Sequence, residues 1–140
     1  MKTIVVDASV AIKWFIPEVH AIAAGHLLHK NFKLIAPDLI FVEVGSILWK
    51  KQRRKEITRT TANDILNDFK RLPIENYEIE PLIDEAWNIA ATYQCTVYDS
   101  LYVALARTEK CVLATADQSL VNTLKPSPLA KSLLWVEDIK

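Results

Sequence analysis

The sequence predicts an α/β domain, a three-layer α/β/α arrangement around a mostly parallel five-stranded sheet. Two observations predict it. Short apolar runs alternate along the chain with longer stretches of helical periodicity, the order that strand–helix–strand units impose. The clearest runs are continuous rather than alternating, as in strands covered on both faces. They are Thr3-Ile4-Val5-Val6, Lys33-Leu34-Ile35-Ala36, Cys111-Val112-Leu113-Ala114 and Leu133-Leu134-Trp135-Val136, with a weaker candidate at 74–79. Helical patterns fill 8–15, 18–30, 38–54, 58–71, 81–94, 98–109 and 117–124. Pro37 and Pro81 suit first-turn positions of two of them, where a missing N–H costs nothing.

Length and composition narrow the class. At 140 residues the chain is expected to form one domain, 1–140, with a core of its own. With 51% hydrophobic and 24% charged residues, fibrous and disordered readings are excluded. Basic and acidic residues balance at 17 each, which leaves room for a local basic patch only. The two glycines, Gly25 and Gly45, are too few for a dinucleotide fingerprint or a Walker phosphate loop. Cys95 and Cys111 make neither a disulfide framework nor a zinc spacing, so a reduced, cytoplasmic protein is expected. No apolar run reaches membrane-span length and the first residues do not read as a signal peptide, so no membrane association is expected.

Acidic residues inside apolar stretches carry the functional signal. Asp7 follows the first run, Glu43 lies within Leu39-Ile40-Phe41-Val42-Glu43-Val44-Gly45-Ser46-Ile47-Leu48-Trp49, and Asp99 opens Ser100-Leu101-Tyr102-Val103-Ala104-Leu105-Ala106. An ionised carboxylate in apolar surroundings is costly unless paired, and no Lys or Arg lies within these stretches. On a helix, Glu43 shares its face with Leu39, Ile40, Ser46 and Ile47, and so points toward the sheet. Asp7, Asp99 and Asp117 each also suit an N-cap. Yet Asp7 and Asp117 both follow strands, and ligands of open α/β sheets gather at strand carboxyl ends. Strand-end placement allows all four to converge at one sheet edge. Four clustered carboxylates repel, and a hard divalent cation such as Mg²⁺ or Mn²⁺ relieves that repulsion through oxygen ligands. Such a site activates water and stabilises charge on a phosphodiester.

These residues carry a resemblance. Val6-Asp7-Ala8-Ser9, a helical glutamate after Pro37, Tyr98-Asp99-Ser100-Leu101-Tyr102-Val103-Ala104-Leu105-Ala106 and Thr115-Ala116-Asp117 resemble the PIN domain, more narrowly its VapC-type toxins. The likeness runs from Thr3 to about Val136, and its most specific parts are Asp7-Ala8-Ser9-Val10-Ala11-Ile12-Lys13-Trp14 and the Asp99 segment. It implies a parallel α/β nuclease that binds Mg²⁺ or Mn²⁺ and cleaves RNA. It further implies the toxin of a type II toxin–antitoxin pair, a homodimer held inactive by a cognate antitoxin. Asp7, Glu43 and Asp99 match the three most constant acids, Asp117 a more variable fourth, and Ser9 and Thr115 polar positions that support the site. In this reading all four acids are metal ligands and catalytic residues. An inhibitory partner is expected to place an Arg or Lys among them, since arginine pairs with carboxylates bidentately. Two other classes stay open: a non-catalytic PIN-like module that binds RNA or protein, and a receiver-like phosphoacceptor domain.

The one basic run, Lys50-Lys51-Gln52-Arg53-Arg54-Lys55 with Arg59 beyond, reads either as an RNA-phosphate contact or as a solvated helix end. Its named RNA candidates are Lys50, Lys51, Arg53 and Arg54. His20, His26 and His29 read as surface histidines. Trp14, Trp49, Trp87 and Trp135 are expected in the core or at a dimer interface. Asp38 reads as a helix-start residue, and Asp84 and Glu85 as first-turn dipole partners.

Overall fold

The computed structural model describes residues 1–29 and 31–140. Five strands form one sheet: β1 (Lys2–Val6), β2 (Phe32–Pro37), β3 (Ile74–Tyr77), β4 (Val112–Thr115) and β5 (Leu133–Trp135). Their order is β3-β2-β1-β4-β5, and every pairing is parallel, in agreement with the expected α/β/α class. The centre of the sheet is the driest part of the molecule. Ile4, Val5, Val6, Ile35, Ala36, Leu113 and Ala114 expose nothing to solvent, which is why these strands read as unbroken apolar runs.

The helices are α1 (Ala8–Ala11), α2 (Ala21–Gly25), α3 (Leu39–Arg53), α4 (Arg59–Lys70), α5 (Ile83–Tyr93), α6 (Val97–Thr108) and α7 (Gln118–Leu124). In α6 every residue from Ser100 to Ala106 is buried, against β1, β2, β4 and α5. Arg107 joins Glu85 of α5 at 2.8 Å. In α3 the residues at four-residue spacing, Ile40, Val44 and Leu48, form the buried stripe. Phe41 meets Phe69 of α4 edge-on, ring centroids 5.7 Å apart.

Several local expectations are corrected. Pro37 ends β2 instead of opening a helix: Asp38 takes the N-cap position of α3 without a side-chain cap bond, and its N–H continues the ladder to the Tyr77 carbonyl. Pro81 does sit in the first turn of a short 3-10 segment. The pattern at 8–15 divides into α1 and a 3-10 turn, Ile12–Trp14. That at 18–30 contracts to α2 and a 3-10 turn, His26–Leu28, because His20 takes a left-handed conformation (φ 68°). Lys30, its last position, lies outside the described residues. Asp99 is not an N-cap, since Thr96 holds that position. Of the four tryptophans, Trp14 and Trp135 pack partly against the core, and Trp49 and Trp87 are exposed, which leaves only the interface half of the expectation open for them. Among the described residues no helix is long and apolar enough to cross a membrane.

Candidate active site

The chain runs β1 to β2 to β3 on one side of the sheet and then returns to β1's other edge as β4. Adjacent strands whose connections leave in opposite directions open a crevice at their carboxyl ends. The register places Val6 beside Ala114, so Asp7 and Thr115 emerge next to each other at that crevice. Asp7 is buried and caps α1 by accepting from the Val10 N–H. Asp117 caps α7 by accepting from the Leu120 N–H. Both are caps and both line the crevice, so the two readings of these residues are compatible.

Helices bring the other two. Glu43 is half-buried on α3, one position from the apolar stripe. Asp99 is in the first turn of α6, where the Thr96 hydroxyl accepts its backbone N–H at 3.0 Å and leaves the carboxylate free. Asp7, Glu43, Asp99 and Asp117 line one cavity of about 380 Å³, with Ser9, Lys50, Tyr98 and Tyr102 also on its wall.

Ser9 fixes the site. Its hydroxyl donates to Asp7 and accepts the Ala116 N–H at 3.0 Å, tying the start of α1 to the end of β4. The Thr115 hydroxyl accepts the Asp117 N–H at 3.0 Å and also acts on Asp7.

The electrostatics are those of an unpaired acidic cluster. Among the described residues no ion pair involves any of the four carboxylates. Burial pushes Asp7 up to about 6, against the bonds from Ser9, Thr115 and Val10, and Asp99 adds repulsion. Burial, then Asp117 and Glu43, push Asp99 up to about 6 as well. Burial raises Glu43, the Tyr102 phenol opposes it, and Asp117 reinforces it. The Tyr102 phenol is itself held far above its usual range by burial and by Glu43, so it is a neutral O–H donor. It acts on Glu43, yet among the described residues no acceptor meets its hydroxyl in hydrogen-bond geometry, as when a contact is long enough to perturb titration without satisfying the donor.

Oxygen donors of this type and number fit a hard divalent cation. Among the described residues no three acidic, histidine or cysteine side chains already stand in coordination geometry, so the carboxylates would have to turn inward to share an ion.

The basic run separates residue by residue. Lys50 is on the cavity wall. Lys51 is engaged by Glu18 at 3.3 Å and Glu56 at 3.8 Å. Arg53 stacks on the Trp49 ring, 4.7 Å from its centroid, and Arg54 is exposed at the C-cap of α3. Tyr98 and Tyr102 flank Asp99 in the sequence without standing out there as functional candidates. The signal for Tyr102 was its spacing, three residues beyond Asp99 on one helix face.

The PIN domain family model matches residues 4–124. The chain belongs to the PIN domain family. It is 32% identical over 121 residues to Ribonuclease VapC3 of Pyrobaculum aerophilum, covering 84% of this chain and 91% of that protein. The crystal structure of PAE2754 from the same organism superposes with a TM-score of 0.72 at 27% identity, over 97% of this chain and 85% of that one. VapBC2 of Rickettsia felis, solved with a DNA fragment from its promoter, shares the fold at a TM-score of 0.68 and 13% identity, over 95% of this chain and 98% of that chain.

Proposed function

We propose that this PIN domain is a divalent-metal-dependent endoribonuclease, the toxin of a type II toxin–antitoxin pair. One observation carries the reading: four carboxylates from four separate segments line one cavity, and among the described residues none of them forms an ion pair. The VapC relative, named as a ribonuclease, supports the same chemistry. Asp7, Glu43, Asp99 and Asp117 would hold Mg²⁺ or Mn²⁺. Such an ion supplies an activated water and charge stabilisation at phosphorus. The chain's own residues do the rest. Ser9 and Thr115 fix the orientation of Asp7, and the caps made by Asp7 and Asp117 lock these side chains to the sheet edge. Lys50 stands where it can meet a backbone phosphate of RNA, with Arg53 and Arg54 farther along α3.

The partners follow from the same charge. An inhibitory antitoxin that inserts an Arg or Lys among the carboxylates would displace the ion and block RNA together. The Rickettsia neighbour is a VapBC2 assembly, which supports a protein partner; the inserted basic side chain is inferred from the charge of the site. We read the native protein as a cytoplasmic homodimer.

The test is cleavage of single-stranded RNA by purified protein. Asp7→Asn keeps a capping side chain and removes a metal ligand, so activity should fall by about a thousandfold or more. Chelation should abolish parental activity and Mn²⁺ should restore it. Parental cleavage by Asp7→Asn would refute the assignment.

A further inference from the structure

Tyr102 is 1% exposed, and among the described residues its hydroxyl is the one buried side-chain oxygen or nitrogen without a hydrogen-bond partner. An unmet buried hydroxyl destabilises the fold, whereas a phenylalanine would fill the same space without that cost. Its place explains the exception. Tyr102 lies one turn beyond Asp99 on α6 and walls the cavity that Glu43 enters from α3. Acceptors share its cavity: Glu43, Asp7 and Asp99 line the same wall as the phenol. A carboxylate that binds a metal through one oxygen keeps lone pairs for a second partner, and such outer partners fix its orientation.

We propose that Tyr102 is a positioning residue for Glu43, its hydroxyl donating to the Glu43 carboxylate once that carboxylate turns inward to a divalent cation. The idea rests on the metal-site reading above. With the ion bound, the hydroxyl is satisfied and holds Glu43 in place. Metal binding therefore recovers a hydrogen bond that folding alone leaves unmade.

The experiment titrates Mn²⁺ calorimetrically into the native protein, Tyr102→Phe, Asp7→Asn, Glu43→Ala and the Tyr102→Phe/Glu43→Ala double variant. Melting temperatures in chelator accompany each titration. Tyr102→Phe should bind Mn²⁺ about 10–100-fold more weakly while melting no lower than the parent without metal. The loss should vanish in the Glu43→Ala background, since the hydroxyl then has no side-chain acceptor to hold. A lower metal-free melting temperature for Tyr102→Phe would show a structural partner and overturn the proposal. So would parental Mn²⁺ affinity in Tyr102→Phe alongside lost affinity in Asp7→Asn, or an equal loss in both backgrounds. Parental affinity in Asp7→Asn as well would overturn the metal-site reading itself, and the proposal with it.

Discussion

Two acidic regions of this molecule behave oppositely. Glu18 sits between Lys13, at 3.0 Å, and Lys51, at 3.3 Å, and bridges the segment after α1 to the end of α3. Burial works against its ionisation, but the two lysines outweigh burial and hold its carboxyl below the ordinary range. Asp7, buried, and Glu43 and Asp99, half-buried, lie among other acids and are pushed up. The same chemical group is a structural clamp in one place and a cation-seeking site in the other. What differs is the company, and the fold supplies that company from distant segments.

The contrast breaks most visibly in the pH dependence of stability. Asp7 and Asp99, near 6 in the fold against an ordinary 3.8, hold protons that the unfolded chain has already released. Their contribution is fully present below about pH 4 and is withdrawn as pH rises to about 6. Glu18 has the opposite sign: its contribution is present above its ordinary 4.5 and lost as pH falls through its lowered value. Melting curves in chelator from pH 4 to 8 should therefore respond oppositely to two isosteric changes. Asp99→Asn should raise the melting temperature at neutral pH by roughly 3 °C, after allowance for solvent screening, and flatten the slope between pH 4 and 6. Glu18→Gln should lower it at neutral pH by a similar or smaller amount. Parallel curves for the two variants would dissolve the distinction.

Much of this was legible from the chain. Asp7 and Asp117 follow continuous apolar runs, and a parallel sheet sends both to one edge. Glu43 was readable from helical spacing against Ile40 and Ile47. The fold class followed from the alternation of runs and helices. What was not legible depended on local competition or on distant contacts. Asp99 looked like a cap because its own helix begins near it, but Thr96 three residues earlier is a better-placed hydroxyl and takes the N–H. Pro37 looked like a helix start, yet pairing with Tyr77 across the ladder keeps it in the strand. The Glu18 clamp joins residues 33 apart, and periodicity carries no trace of it. Tyr102 was hidden inside an apolar run because only its tip is polar.

A smaller effect sharpens the division of labour along α3. Arg53, on Trp49, and exposed Arg54 lie beyond the cavity that Lys50 reaches. Replacing both arginines by alanine should weaken RNA binding several-fold for all sequences alike. The slope of log affinity against log salt should fall by about 1.4, roughly 0.7 for each lost single-strand phosphate contact. The cut positions should not move. An altered cleavage pattern with an unchanged salt slope would assign these residues to sequence reading instead.

The central claim is that the unpaired carboxylates, and not acidity in general, make the site. Its most direct measurement is the melting temperature of the native protein, Asp99→Asn and Glu18→Gln with and without Mn²⁺ at neutral pH. At an Mn²⁺ concentration of about 100 times the dissociation constant, mass action adds about 2.7 kcal/mol, roughly 8 °C for a chain of this size. The account predicts that full shift in the native protein and in Glu18→Gln, and little or none in Asp99→Asn. Equal shifts in all three proteins would place the ion elsewhere and contradict it.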